Sequence, residues 1–333
     1  MDFGRITDGN TGNCLEAWQR ETDMGSRGIS PEECKYFTLG RWGKNIVIYN
    51  MFFDSIGAVE LFLLSRPSIN KEIFTTQVSG TSSVEFAGPL LEESIKYCVN
   101  GYDYEFDKFM ELSRALQNAY KSPGIERMVE PAFVGHRPNV PAYIADAPKS
   151  MYRNKRVAAK KTVNIFMQLT YDLETTAEQI MNRGILVLNL VNLLERNGYI
   201  VQFRVFETSR VYNEVFLCEI VLKRQSEKLD PRRCYFPMCG KSFVRRILLR
   251  IKESMPFQEN WHMSYGSVMS RENTRMILNM NDNDIYIGTP KEMGITGKDI
   301  FEDARVFLKK TGLESIVNVS EVGKWMNREQ KEN

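Results

Sequence analysis

Residues 162–170, Thr-Val-Asn-Ile-Phe-Met-Gln-Leu-Thr, decide the fold. Their apolar and β-branched content predicts a strand. A loop around 172–176 follows, then a helix over 178–197 that Gly198 stops, because glycine takes the left-handed conformation a helix end needs. Two β-rich runs, 199–207 and 214–223, flank a turn region at 208–213 and predict an antiparallel hairpin. Gly240 and Ser242 open a helix through Met255, with Phe243, Val244, Ile247, Leu248 and Ile251 on one face. A strand at 284–288, a helix at 299–310 ended by Gly312, and a last strand at 316–319 complete the series. Alternating helices and strands predict a layered α/β domain over 162–319, a central sheet with flanking helices and an antiparallel edge strand from the hairpin.

Working outward, residues 1–121 predict a mixed α+β N-terminal domain. Residues 1–45 read as an irregular lead-in, 46–49 as a strand, 59–64 as a buried strand or short helix, and 73–78 as a strand. Ser82 or Ser83 caps a helix running toward Cys98, which Gly88-Pro89 breaks or kinks. Phe106, Phe109, Met110 and Leu116 place one buried face on a helix over 103–120. Pro123, Pro131, Pro138, Pro141 and Pro148 prevent both regular helix and central strand in 122–150. This Pro-rich stretch and the basic one after it form the crossing segment 122–161. Its Phe133, Val140, Tyr143 and Ile144 predict extended packing on a surface. The polar residues 320–333 read as a flexible tail.

Composition narrows the class. The 333 residues are 43% apolar and carry a net charge of +2, enough apolar content for sizeable cores. No apolar run reaches the roughly 18 residues of a membrane span, and the amino terminus lacks the layout of a signal peptide. Six thinly spread cysteines fit reduced thiols. A cytoplasmic protein with no membrane partner is the expectation. Charge is segregated: 14 Lys and Arg against 20 Asp and Glu in 1–148, 20 against 9 in 149–252, and 10 against 13 in 253–333. A basic middle between acidic flanks points to an anionic partner or to docking between the halves.

The element order over 162–319 resembles the von Willebrand factor A type fold, in which a first strand is followed by a helix, a hairpin pair and further helix–strand units. That family builds a metal site from Asp-x-Ser-x-Ser at the end of the first strand. Here the stretch is Gln168-Leu169-Thr170-Tyr171-Asp172, so the resemblance implies a degenerate motif in which only Thr170 and Asp172 remain as oxygen ligands for a divalent metal. A second resemblance is carried by Val78-Ser79-Gly80-Thr81-Ser82-Ser83, by residues 137–148 (Arg-Pro-Asn-Val-Pro-Ala-Tyr-Ile-Ala-Asp-Ala-Pro) and by Arg183-Gly184. These segments look like an uncharacterised family from phages and mobile elements, which implies an origin, in the host-cell cytoplasm, and no mechanism.

The remaining chemistry is sparse. Cys239-Gly240-Lys241-Ser242 ends like a phosphate-binding loop, but Tyr235 stands where the first glycine is needed, so an ordinary helix start is the better reading. Cys234, Cys239 and His262 lack zinc-finger spacing, and His136 is the only other histidine. Asp172, Glu174, Asp282 and Asp284 are the candidate acids for metal-dependent phosphodiester cleavage if they converge at strand ends, although Asn281-Asp282-Asn283-Asp284 also reads as a turn. Lys149, Arg153, Lys155, Arg156, Lys160 and Lys161, with Arg245 and Arg246, are the candidate footprint for nucleic acid or another anion. The expected function is a non-enzymatic binding or assembly protein of a phage or mobile element, contacting protein, nucleic acid or a second copy of itself through the basic middle. The alternatives are a metal-dependent nuclease using the four acids and a nucleic-acid-binding module without catalysis.

Overall fold

The computed structural model describes residues 35–39, 44–65, 84–119, 129–154, 162–171, 174–225, 227–255 and 267–313. Within them a mixed parallel and antiparallel sheet forms the centre of an α/β fold. Its strands are β1 (Lys35–Leu39), β2 (Lys44–Phe53), β6 (Thr162–Gln168), β7 (Ile200–Val211), β8 (Glu214–Lys223), β9 (Ser267–Val268) and β10 (Ile285–Ile287). The order across the sheet is β1-β2-β8-β7-β6-β10, with β9 pairing the end of β7. β6 is parallel to both neighbours, with Ile165 opposite Phe203 on β7 and Ile285 on β10.

The side-chain period of two divides the sheet's faces. Val163, Ile165 and Met167 of β6 and Leu169 just after it enter the main core with Val201, Phe203 and Val205 of β7 and Phe216, Cys218 and Ile220 of β8. Phe166, Phe206, Val215, Leu217 and Ile48 form a second cluster on the other face with Met269, Ile277, Leu278 and Tyr286. Three of these, Ile277, Met269 and Leu278, lie on or beside helix α9 (Arg271–Ile277).

Helix α6 (Ala177–Arg196) lies in the main core. It is apolar around most of its circumference because it is enclosed on several sides. α4 (Phe106–Ala119) and α7 (Pro231–Cys239) pack on it, and Asn189 on α6 donates to the Ser113 hydroxyl of α4 at 3.1 Å. α1 (Ile56–Ser65), α2 (Val84–Ala87) and α3 (Leu91–Asn100) precede α4. The Gly88-Pro89 break separates α2 from α3, as proline and glycine at that point predict. Tyr97, Tyr102, Phe106, Phe109, Tyr235 and Phe236 pack edge to face, tilted or stacked where α3, α4 and α7 meet, each such pair contributing about 0.5–1.5 kcal/mol beyond area burial.

A separate three-stranded sheet, order β3-β5-β4, contains β3 (Val129–Ala132), β4 (Arg137–Pro138) and β5 (Met151–Asn154). A short helix α5 (Val140–Ile144) connects β4 to β5, capped by Asn139, whose side chain accepts from the Ala142 amide. The chain ends its described part with α10 (Pro290–Met293) and α11 (Ile300–Thr311), the latter closed by Gly312 at φ 74°.

Several expectations change. The hairpin strand β8 is not an edge: β2 pairs with it in parallel, Tyr49 opposite Phe216. Every residue of β8 is buried, and its charged members find internal partners, such as Glu214 accepting from the Tyr49 hydroxyl at 2.6 Å. Residues 35–53 thus add two strands to the same sheet as residues 162–287. The hairpin turn is only Tyr212-Asn213, with Tyr212 at φ 45°, because β7 runs on through Thr208-Ser209-Arg210. Of the two readings for residues 59–64 the helix holds, within α1. Residues 129–154 fold into a small sheet with a helix; Pro131 and Pro138 sit on its edge strands and Pro141 in the first turn of α5, where no amide hydrogen is needed. The helix opened by Gly240 begins as a π-helical turn, Phe243–Leu248, before α8 (Leu249–Lys252). Arg183-Gly184 lies inside α6. The expected strands 73–78 and 316–319 lie outside the described residues, as do Ser82 and Ser83.

Candidate functional site

β6 is the strand at which connections diverge: α6 leads from it to β7 on one side, while β10 flanks it on the other. In α/β sheets ligands settle outside the carboxyl ends of strands at such a point. The local sequence builds this end firmly. Thr176 and Gln179 form a reciprocal capping box at the start of α6. The Gln179 amide also donates to the Ile295 carbonyl at 3.0 Å. One turn on, Asn182 donates to the carboxylate of Asp303 at 2.9 Å. That carboxylate also accepts from the amides of Thr296 and Gly297 at 2.7 and 3.0 Å, and from the Thr296 hydroxyl at 2.9 Å.

Arg183 reaches from α6 to the carboxyl ends of β6 and β10 and is fully enclosed. Its Nη1 donates to the carbonyls of Gln168 at 2.9 Å and Gly288 at 3.1 Å, the last residue of β6 and the first after β10. Its Nε and Nη2 are buried without a hydrogen-bond partner, as are the Tyr171 hydroxyl, the Thr170 hydroxyl and the Gln168 amide nitrogen. Gln168 Oε1 accepts from the Tyr286 hydroxyl at 2.6 Å. Burial pushes the Arg183 guanidinium down to about 10, with Tyr171, Cys239 and Tyr286 pulling against it, so it remains a cation at neutral pH. Burial raises the Tyr171 phenol, opposed by the charges of Arg245 and Arg183. It likewise raises the Cys239 thiol, with Arg183 pulling the other way. Gly184 permits this packing: a Cβ there would stand 2.6 Å from Cys239 Sγ.

The candidate acids among the described residues are not gathered here. Asp284 caps the turn before β10, accepting from Asn164 Nδ2 and from the Asn281 amide, both at 2.8 Å. It sits at the amino end of the parallel pair β6 and β10, level with Asn164. Asp282 is exposed in the same turn. Glu174 follows the carboxyl end of β6, beyond Gln168, which a strand rise of about 3.3 Å per residue puts about 13 Å from Asn164. Asp172 lies outside the described residues. Among the described residues no group of three His, Cys, Asp or Glu is placed to hold a metal ion.

The basic candidates also separate. Arg246 is buried, and its guanidinium donates to the carbonyls of Pro89 at 2.9 Å and Gly88 at 3.3 Å, tying the π-turn to the α2–α3 break. That enclosure corrects its assignment to an anion-facing surface. Arg245 is half-buried beside Tyr171. Lys149 and Arg153 are exposed on the small sheet. The Lys149 ammonium lies 5.8 Å from the Phe133 ring centre, and Arg153 pairs with Glu130 at 2.7 Å. Lys155, Arg156, Lys160 and Lys161 lie outside the described residues. Arg137, which was read only as part of a motif, stacks its guanidinium 5.2 Å from the Tyr152 ring centre.

Those charges surround a feature that composition did not flag. Phe133 and Val134 after β3, and Val140, Tyr143 and Ile144 of α5, are exposed, Val134 by 82% and Ile144 by 79%. Ala132 and Pro138 both pair with Met151, and the Asn139 amide donates to Ser150 at 2.9 Å, so Phe133 and Val140 leave the sheet at the same end. Single exposed apolar residues are ordinary; five on one small unit are not. The signal available in the sequence was their apolar character inside a proline-rich stretch.

Among the described residues no helix is long and apolar enough to cross a membrane. No curated protein and no solved structure shows significant similarity to the chain. A family model does match, over residues 30–315, which takes in both sheets, the Arg183 region and the exposed end of the small sheet. The chain belongs to that family, described as a domain of unknown function (DUF7192).

Proposed function

We propose that this is a non-enzymatic binding or assembly protein that contacts a protein partner through the unit formed by residues 129–154. The observation that carries this reading is the exposure of Phe133, Val134, Val140, Tyr143 and Ile144 together on that unit. Lys149, Arg137 and Arg153 stand among them, so the complementary surface is apolar with carboxylates at its rim. Nucleic acid is the less favoured partner. Val134, Val140 and Ile144 offer no ring for base stacking, while Arg153 already has Glu130 and the other two cations lie over aromatic rings.

The nuclease alternative needs acids a few ångströms apart around its metals, and Asp284 and Glu174 stand at opposite ends of β6. The A-type reading of residues 162–319 is supported by the order of helix, hairpin and helix–strand unit after β6. The addition of β2 and β1 beyond the hairpin departs from it. Origin in a phage or mobile element rests on the resemblance of residues 137–148 and the two shorter motifs.

The test is quantitative co-purification from the native host, comparing the full chain with Val134→Asp/Ile144→Asp. Both positions are exposed, so the variant keeps its circular dichroism and melting temperature. The reading requires that a protein retained stoichiometrically by the parent chain be lost from the variant. Equal retention by both, or retention of nucleic acid in place of protein, contradicts it.

A further inference from the structure

We propose that the Nε–Nη2 edge of Arg183, with the Tyr171 hydroxyl beside it, binds an oxyanion, a carboxylate or phosphate group, at the carboxyl ends of β6 and β10. The Arg183 guanidinium uses Nη1 for the Gln168 and Gly288 carbonyls, which leaves the side-on edge formed by Nε and Nη2. Two parallel N–H groups on that edge match two oxygens of a carboxylate or phosphate. Among the described residues no carboxylate pairs with it, and the side chain is fully enclosed. A cation held out of water without a counter-charge is strongly disfavoured unless an anion completes it.

The neighbouring groups are donors as well. Tyr171 and Thr170 have buried hydroxyls without partners, and the Gln168 amide nitrogen is in the same condition. Arg245 adds a second positive charge within electrostatic reach of Tyr171. Arg183 and Arg245 bring two positive charges to this end of the sheet against the Glu292 carboxylate beside Gly288 and Tyr286, a balance that favours an anion over a metal ion. The place also fits: it is the divergence point of the sheet, where α/β folds receive ligands. This site is distinct from residues 129–154 and does not depend on the partner reading above.

The test is thermal denaturation of the full chain titrated with inorganic phosphate and, separately, with succinate, each against sodium chloride at equal ionic strength. Isothermal calorimetry on the same samples gives affinity. A saturable rise in melting temperature is expected with one of the two, and which one identifies the ligand's acid group. Tyr171→Phe keeps the ring and the fold, and should need roughly tenfold more ligand, the loss of one hydrogen bond to a charged group. Arg183→Lys replaces the fork by a single ammonium and should abolish saturation. No saturable response to either anion, or the same affinity in Tyr171→Phe as in the parent, overturns the assignment. The Tyr171→Phe result decides the matter if Arg183→Lys does not fold.

Discussion

Lys252 and Glu207 form an ion pair inside the core, both side chains almost wholly enclosed. The lysine comes from α8, just after the π-helical turn, and its ammonium also lies 5.1 Å from the Phe216 ring centre. The glutamate comes from β7, opposite Cys218 on β8. The pair thus fastens the helix to the hairpin. Removing one member leaves the other charged and dry, so Lys252→Ala or Glu207→Ala should lower stability by about 3–5 kcal/mol in urea denaturation. The double replacement Glu207→Leu/Lys252→Met should cost far less than the sum of the single changes, because no unpaired charge remains.

Asp303 organises the loop before α11 through four hydrogen bonds, from Asn182, the Thr296 hydroxyl and the amides of Thr296 and Gly297. Asp303→Ala leaves these donors without their acceptor and should cost about 3 kcal/mol. Amide exchange at Thr296 and Gly297 should accelerate in the variant more than exchange in β7.

Gly184 makes a prediction opposite in sign to helix propensity. Alanine is favoured over glycine in a helix by about 1 kcal/mol, yet its Cβ would stand 2.6 Å from Cys239 Sγ. Gly184→Ala should therefore destabilise by about 1–3 kcal/mol. Combining it with Cys239→Ala removes the clashing atom and should restore most of the loss, read as a non-additive double-mutant cycle.

Glu219 should make stability depend on pH. Burial raises its carboxyl above the usual value of 4.5, and Arg204, at 3.4 Å, offsets this only in part. The folded state therefore binds its proton more readily than the unfolded state. The resulting stability is fully present below the unfolded value of about 4.5 and is lost as pH rises through the folded value. Urea midpoints should fall over that window in the parent chain, and Glu219→Gln should flatten the slope.

Much of the fold was legible. Val163, Ile165 and Met167 alternate through β6, with Leu169 just after it, and Gly198, at φ 81°, stands where α6 must end. Parallel pairing of β2 with β8 was not, because a parallel contact between distant segments has no local turn to announce it. The nearly continuous apolar run of 215–222, broken only by Glu219, was its one trace, since an edge strand would show a polar face. Thr208-Ser209-Arg210 read as a turn, yet these residues continue β7 and are held by pairing with β8 and β9. At the carboxyl end of β6, the sequence offered only Thr170 and Asp172. Arg183 stood in view as a charge in the apolar middle of a helix, but its partners are main-chain carbonyls, which leave no side-chain signature. Arg246 was misread for the same reason.

The central claim is that residues 129–154 form a protein-binding surface. A photoreactive amino acid at Phe133 or Tyr143, with one at the exposed Tyr212 of the β7–β8 turn as control, tests it most directly in native extract. A discrete protein adduct at positions 133 and 143 and none at 212 is the predicted result. Adducts at all three positions alike, no adduct at 133 and 143, or adducts there to nucleic acid would contradict it.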